Sequence, residues 1–393
     1  MTSPAIRVLR LASPVVVAAA LLADCSSDNN AAPGPSGPGG GPVTVNASDR
    51  SCRVARSTLP AGRHTFEITS TTSQVTEVYV YAAGDRIMGE VENVGPSTKR
   101  NLIVDLPAGD YQVTCKPGMV GNGIRTALTV TGQAVPAQTL DENLRTAVTS
   151  YRTYVQTETR ALVDTTAAFV AAINSGDAAK ARQAYPSARL HYERIEPIAE
   201  SFGDLDPLID MRIDDVTADS PFVGFHALEQ LLFEKNTVDG TRPLATALTT
   251  NVGKLGTLVK TVGFTPLIMA NGAKSLLDEV AKSKVTGEEE RYSRIDLVDF
   301  AGNVDGARYV YSALRPALLE KKPQLVTTLD QRFPTLVNLL NTHLAKPGDR
   351  GYTPGSPYVS YDALTPEQVR ALAVEVDAIS EPIGQISGVV TAG

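Results

Sequence analysis

Tryptophan is absent from the 393 residues, and the aromatic share is only 6%. A platform that stacks sugars or single-stranded bases needs aromatic faces, so that class of binder is disfavoured. Positive charge is also in short supply. Lys and Arg number 36 against 43 Asp and Glu, giving a formal net charge of −7 and a pI near 5.3. That balance argues against a general affinity for nucleic acid or for anionic membrane surfaces. It suits a protein whose ligand is a cation. Cysteine occurs three times and histidine four times, so each deserves a separate reading.

The apolar run from Ser13 to Leu22 is too short to span a bilayer as a mature helix. Preceded by Arg7 and Arg10, it reads as a targeting segment over residues 1–25. It closes on Leu22-Ala23-Asp24-Cys25, which resembles a bacterial lipobox with lipid on the Cys25 thiol, although Asp24 departs from the usual small residue. The expected location is therefore extracytoplasmic, periplasm or cell surface, with a membrane contact only through the lipid anchor. Residues 26–42, rich in Ser, Asn, Gly and Pro, read as a flexible tether.

A chain of this length predicts two domains. Alternating runs at 43–46, 65–69, 77–81, 102–106, 111–115 and 126–130, punctuated by turn residues, predict a β-sandwich of six or seven strands over 43–132. The Glu-rich stretch Gly89 to Asn93 is placed between strands. From 140 to 393 the apolar period becomes helical, with candidates at 143–175, 178–199, 221–233, 243–260, 272–285, 294–318, 322–343 and 365–379. Strands and helices follow one another without interleaving, which excludes a doubly wound α/β fold and predicts a sandwich followed by a helical bundle.

Two short patterns carry chemistry. His226 and Glu229 form an HxxE pair, and Glu193 and Glu196 form a second i,i+3 pair. Residues at this spacing share a helix face, so two helices can aim three carboxylates and an imidazole at one point. This mostly oxygen set suits iron, manganese or zinc. Asp204, Asp206, Asp210, Asp214, Asp215 and Glu288 to Glu290 could complete the shell. Plainer alternatives stand beside this: Glu193 and Glu196 as an exposed face paired to Arg194 or Arg212, Glu288-Glu289-Glu290-Arg291 as a solvated helix start, and His191 and His343 as surface residues. Peptide hydrolysis by a zincin or inverted zincin needs HExxH or HxxEH. Gln230 follows Glu229, so the second histidine is missing.

In the β region, Cys115 and Met119 have a spacing compatible with blue copper, but no histidine lies between them, and His64 is the only histidine of that region. Cys52 and Cys115 can instead form a disulfide, as paired cysteines of exported proteins often do.

Tyr192-Glu193-Arg194-Ile195-Glu196-Pro197, Asp204-Leu205-Asp206, Ile209-Asp210, Gly224-Phe225-His226 with Glu229, Gly287-Glu288-Glu289, and Asp299-Phe300 with Asn303 together resemble the imelysin-like domain of the EfeO family. Cys52, Gly89 to Val94, and Gly109-Asp110-Tyr111 with Cys115 resemble that family's cupredoxin-like N-terminal domain. The resemblance implies an extracytoplasmic iron-binding component acting beside a membrane iron permease and a haem-dependent peroxidase. It also implies a helical-domain site on His226, Glu229 and Glu193, with Asp206 and Glu289 as further candidates. In the β domain it implies copper on Cys52, Cys115 and Met119, hard-ion ligation by Glu77, Glu90 and Glu92, and a ferroxidase activity. Iron, ferric or ferrous, is the expected ion, with zinc as a substitute. The imelysin family has also been labelled a metallopeptidase family. Disulfide and copper site need the same closeness of Cys52 and Cys115, so both readings stay open at this stage.

Overall fold

In the computed structural model the described residues are 41–83, 87–132, 140–216, 221–282 and 284–392. The leader, Cys25 and nearly all of the tether lie outside them. Among the described residues no helix is long and apolar enough to cross a membrane.

Among the described residues nine strands make two sheets: β1 (Val43–Ser48), β2 (Ser51–Val54), β3 (Thr58–Pro60), β4 (Gly62–Ser70), β5 (Thr76–Tyr81), β6 (Ile87–Val94), β7 (Lys99–Leu106), β8 (Gly109–Pro117) and β9 (Ile124–Thr131). One sheet has the order β2-β1-β4-β7 and the other β3-β9-β8-β5-β6. Strand alternation supplies the core between them. Val43, Val45, Phe66 and Ile68 face Val78, Val80, Val113 and Leu128 in a single buried cluster. The Glu-rich stretch expected between strands is strand β6, paired antiparallel to β5. Its acids escape the usual in–out pattern because α6 of the helical domain packs on this strand.

The helical domain comprises α1 (Glu142–Asn174), α2 (Ala178–Glu193), α3 (Leu205–Asp210), α4 (Gly224–Glu229), α5 (Thr241–Leu258), α6 (Pro266–Lys282), α7 (Asp296–Lys321), α8 (Pro323–Asn341), α9 (Pro366–Ile383) and α10 (Ile386–Thr391). Capping explains several of the starts. Asp141 accepts the Leu144 N–H at 2.8 Å, Asp177 accepts that of Lys180 at 3.0 Å, and Thr365 with Gln368 forms a capping box. Helix α2 ends at Glu193, earlier than the sequence pattern suggests. Pro197 has no N–H to give the Glu193 carbonyl, and Asn303 Nδ2 on α7 donates to that oxygen instead, at 3.3 Å. Glu196 therefore sits on a following 3-10 turn, Glu196–Phe202, rather than on α2.

The two domains touch through polar contacts as well. Asn271 Nδ2 on α6 donates to the Ile103 carbonyl of β7 at 2.9 Å, and Lys282 Nζ pairs with Glu77 at 2.9 Å.

Candidate metal centre

Glycine brings the parts of the helical site together. Gly224 opens α4 with φ +78°, and a Cβ there would collide with the backbone carbonyl of Ile209. Only glycine combines that backbone shape with so close an approach. The contact brings the start of α4 against the end of α3, and so His226 beside Asp210. Gly302 on α7 plays the same part opposite Glu193, whose Cβ would meet any side chain placed there.

His226 is 2% exposed and is gripped from one side. Its Nδ1 lies 3.1 Å from Glu229 Oε2, and Glu229 Oε1 accepts the backbone N–H groups of Tyr292 at 2.8 Å and Ser293 at 2.6 Å. One oxygen of Glu229 thus holds the ring while the other is anchored on the backbone, the arrangement of a carboxylate that orients a histidine from behind. The other ring nitrogen, Nε2, is buried and has no hydrogen-bond partner. It points between Asp210 Oδ1 at 3.5 Å and Glu289 Oε1 at 3.7 Å. Asp210, His226 and Glu289 offer ligand atoms that all lie within 4.8 Å of one another. Helix α4 is only six residues long and continues into a π turn, Gln230–Glu234, a departure that often marks functional positions.

Behind this group lies a buried ionic network. Arg189, on α2 and 0% exposed, makes ion pairs with Glu193, Asp210, Glu290 at 3.0 Å and Asp299 at 2.9 Å, and reaches Glu289 at 3.7 Å. Lys284 is equally enclosed, with Glu196 at 2.7 Å, Glu193 at 3.0 Å and Glu289 at 3.6 Å. Arg212 reaches Glu289 at 3.1 Å and Glu279 at 3.3 Å. Tyr185 donates to Glu290 at 3.0 Å, and Tyr192 donates to Asp206.

Protonation follows from this layout. Burial alone would raise the Glu289 carboxyl, but Lys284, Arg212 and His226 hold it well below the usual range. Burial likewise opposes the charge on Glu193, and Arg189 with Lys284 reverse that. Burial and the neighbouring Glu229 push Glu290 well up, and burial with Glu193 does the same to Glu196. Burial raises Asp206 to about 7 against the opposing Tyr192 hydrogen bond. For His226, burial works against the charged ring, yet the hydrogen bond to Glu229 and the nearby Glu289 carboxylate outweigh it and place the imidazole at about 10. A cation bound at Nε2 would take the place of that proton.

The residues singled out from sequence therefore fall into groups. His226, Glu229 and Glu289 are brought together, with Asp210 beside them. Glu193 stands next to Glu289 and Asp299, and Glu196 is tied to it through Lys284. Asp206 faces Tyr192. Two plainer alternatives are corrected. Glu289 and Glu290 are buried in a turn before α7 rather than on a solvated helix start, and Glu193 is enclosed rather than on an exposed face. His343 is buried as well, and His191 is paired to Glu158 at 2.7 Å. Arg189 and Lys284 escaped the sequence reading. Arg189 lies four residues before Glu193 on α2, a spacing that places the two on one face, and this was the one local clue.

In the β domain the copper expectation for Cys52 and Cys115 gives way to a disulfide that joins β2 to β8 across the sandwich. Both sulfurs are spent in that bond, so neither is a thiolate donor for copper. Met119 lies in the turn after β8 with φ +59°. His64 Nε2 is 2.8 Å from the Pro60 carbonyl. Glu77 is engaged by Lys282 and by Tyr79 at 3.0 Å, while Glu92 has a buried Oε2 without a hydrogen-bond partner. Burial, then Glu90, Glu77 and Glu279, raise Glu92 to about 9.

A family model described as Imelysin matches residues 147–386, the helical domain that carries this centre. Among curated proteins, the iron uptake system component EfeO of Escherichia coli (strain K12) is 36% identical over 353 residues, 88% of this chain and 91% of that protein. The protein of the same name from Shigella flexneri matches to the same extent. A solved structure from Parabacteroides distasonis ATCC 8503 shares 14% identity with a TM-score of 0.48, covers 65% of this chain and 97% of that one, and carries no argument. The class is thus an imelysin helical domain carried behind a β domain. The chain belongs to the EfeO family.

Proposed function

We propose that this protein captures iron outside the cytoplasm and presents it to a membrane uptake system. The reading rests on one observation: the buried, unpartnered Nε2 of His226 set between Asp210 and Glu289. Those three side chains hold the ion, with Glu229 orienting the imidazole and Arg189 and Lys284 keeping Glu193 and Glu289 ionised around it. One imidazole and two carboxylates match the hard, oxygen-rich preference of iron, with zinc as a substitute. The names of the EfeO relatives support iron as the cargo. A membrane iron permease and a haem-dependent peroxidase are the expected partners, and lipid on Cys25 the expected anchor. Coordination without turnover suffices for this role.

A second hard-ion position in the β domain is favoured by Glu92, whose buried oxygen lacks a partner near Glu77 and Glu90. It would use oxygen donors rather than the disulfide sulfurs, so a ferroxidase there would have to work without copper thiolate chemistry.

The test is metal content. Wild type, His226→Ala and Glu92→Gln are loaded with iron, desalted and assayed by elemental analysis. His226→Ala is expected to lose the helical-domain equivalent, while Glu92→Gln keeps it. Equal iron in His226→Ala and wild type would reject the helical centre.

A further inference from the structure

Two cations claim the same carboxylate at the mouth of the centre. Glu289 Oε1 faces His226 Nε2 at 3.7 Å, where the proposed ion would bind, while Glu289 Oε2 accepts Arg212 Nη1 at 3.1 Å. Positive charges that share one partner at such range weaken each other's hold on it, and by linkage the effect is mutual. The deeper cations are locked in place. Arg189 and Lys284 are 0% and 1% exposed and gripped by several acids, whereas the Arg212 side chain is 33% exposed and lines the depression that opens against His226 and Glu289. That depression has room for about one water, so a hydrated ion passes it only when the rim shifts.

Arg212 has other partners within reach. Its Nη1 lies 3.3 Å from Glu279 and its Nε 3.5 Å from Asp215, and both acids are more open to solvent than Glu289. After Glu289, these two do most to favour its charge. The turn that carries Asp215, Ile213–Asp215, is three residues long and begins directly after Arg212, so the guanidinium can swing outward without unpacking a long helix. Arg291, the other arginine of the rim, pairs with Asp214 rather than with a residue of the proposed site. Resting on the iron-site reading above, we propose that Arg212 is a built-in competitor of the bound ion. It holds Glu289 until an ion takes that carboxylate, then turns to Glu279 and Asp215, and by returning to Glu289 it promotes release. The centre thereby holds iron less tightly than its donors alone would, which suits a protein that must hand its cargo on. Arg212 is a positioning residue that acts through Glu289, not a ligand.

The experiment loads the full chain with ferrous iron under nitrogen, desalts it, and times release to a colour-forming ferrous chelator. Wild type, Arg212→Gln, Arg212→Lys and Arg291→Gln are compared, with His226→Ala as the control for the site itself. Arg212→Gln is expected to release iron about tenfold more slowly than wild type, because a unit charge is removed from the far oxygen of a ligand carboxylate. Arg212→Lys keeps the charge and should stay near wild type. Arg291→Gln removes an exposed charge paired elsewhere and should change the rate by no more than about threefold. Release from Arg212→Gln as fast as from wild type, or faster, overturns the proposal. So does equal slowing in Arg291→Gln, which would reduce the effect to general rim charge, or equal slowing in Arg212→Lys. Should Arg212→Gln melt well below wild type, Arg212→Met is read in its place against the same outcomes. If wild type retains no iron, or His226→Ala retains and releases it as wild type does, it is the iron-site reading that fails, and this proposal falls with it.

Discussion

Glu193 and Glu289 of the helical centre and Glu92 at the β-domain face are of one chemical kind, yet the fold treats them oppositely. Glu193 and Glu289 are fully enclosed and stay ionised, because Arg189, Lys284 and Arg212 were buried with them. Glu92 is less enclosed, yet burial pushes it up to about 9 with its acidic neighbours Glu90, Glu77 and Glu279 adding to the rise rather than opposing it. Burial alone therefore does not decide the state of a carboxyl. The countercharge buried beside it does. The helical centre is a balanced network in which the proposed ion would replace a proton on His226. Glu92 is held neutral by a proton.

The largest effect should come from the cation at the heart of the balanced region. Arg189→Met strips partners from Glu193, Asp210, Glu290 and Asp299 at once. Breaking a buried pair costs about 3–5 kcal/mol, and several are broken here. Urea unfolding should show at least that loss, and a change under about 1 kcal/mol would mean that the network is not charge-balanced as described.

The disulfide comes next. Cys52→Ser with Cys115→Ser opens a closure of sequence separation 63 across the sandwich. Removing a native disulfide costs about 2–5 kcal/mol. The loss should appear in β-sheet circular dichroism before it appears in the helical signal, and simultaneous loss of both would show the domains unfolding as one.

Glu92→Gln sharpens the comparison itself. A carboxyl raised from 4.5 to about 9 on folding binds its proton more tightly in the native state. Wild-type stability from this group is therefore lost as pH rises from about 4.5 to about 9. The glutamine variant should match wild type near pH 4.5 and exceed it by about 1–2 kcal/mol at pH 8, measured by thermal melts across pH. No pH-dependent gain would mean that Glu92 is ionised in the fold. Smallest is Lys282→Ala. It removes a partly exposed partner of Glu77 and should cost about 1 kcal/mol. Iron binding at the helical centre should not change.

The same contrast explains what could be read in advance. His226 with Glu229 was visible because i,i+3 spacing on a helix is local, whereas Glu196 falls beyond the end of α2 and does not share its face with Glu193 as that spacing implied. The order of strands then helices was visible because periodicity is local too. Arg189 and Lys284 were not, since a lysine or arginine has no sequence mark for burial, and only the packing of α2, α7 and the turn before α7 encloses them. Glu289 and Glu290 looked solvated because consecutive acids usually are. Strand β6 looked like a loop because the surface that shelters its glutamates belongs to another domain. Pro197 was in plain view, but its effect on α2 depends on Asn303, more than a hundred residues later.

The central claim is that iron sits on one imidazole nitrogen and carboxylate oxygens in the helical centre. X-ray absorption at the iron edge of the loaded full chain tests it most directly. The expected spectrum shows a first shell of oxygen and nitrogen only, with outer-shell scattering from a single imidazole that disappears in His226→Ala. Sulfur in the first shell, or an imidazole signal unchanged by that substitution, would contradict it.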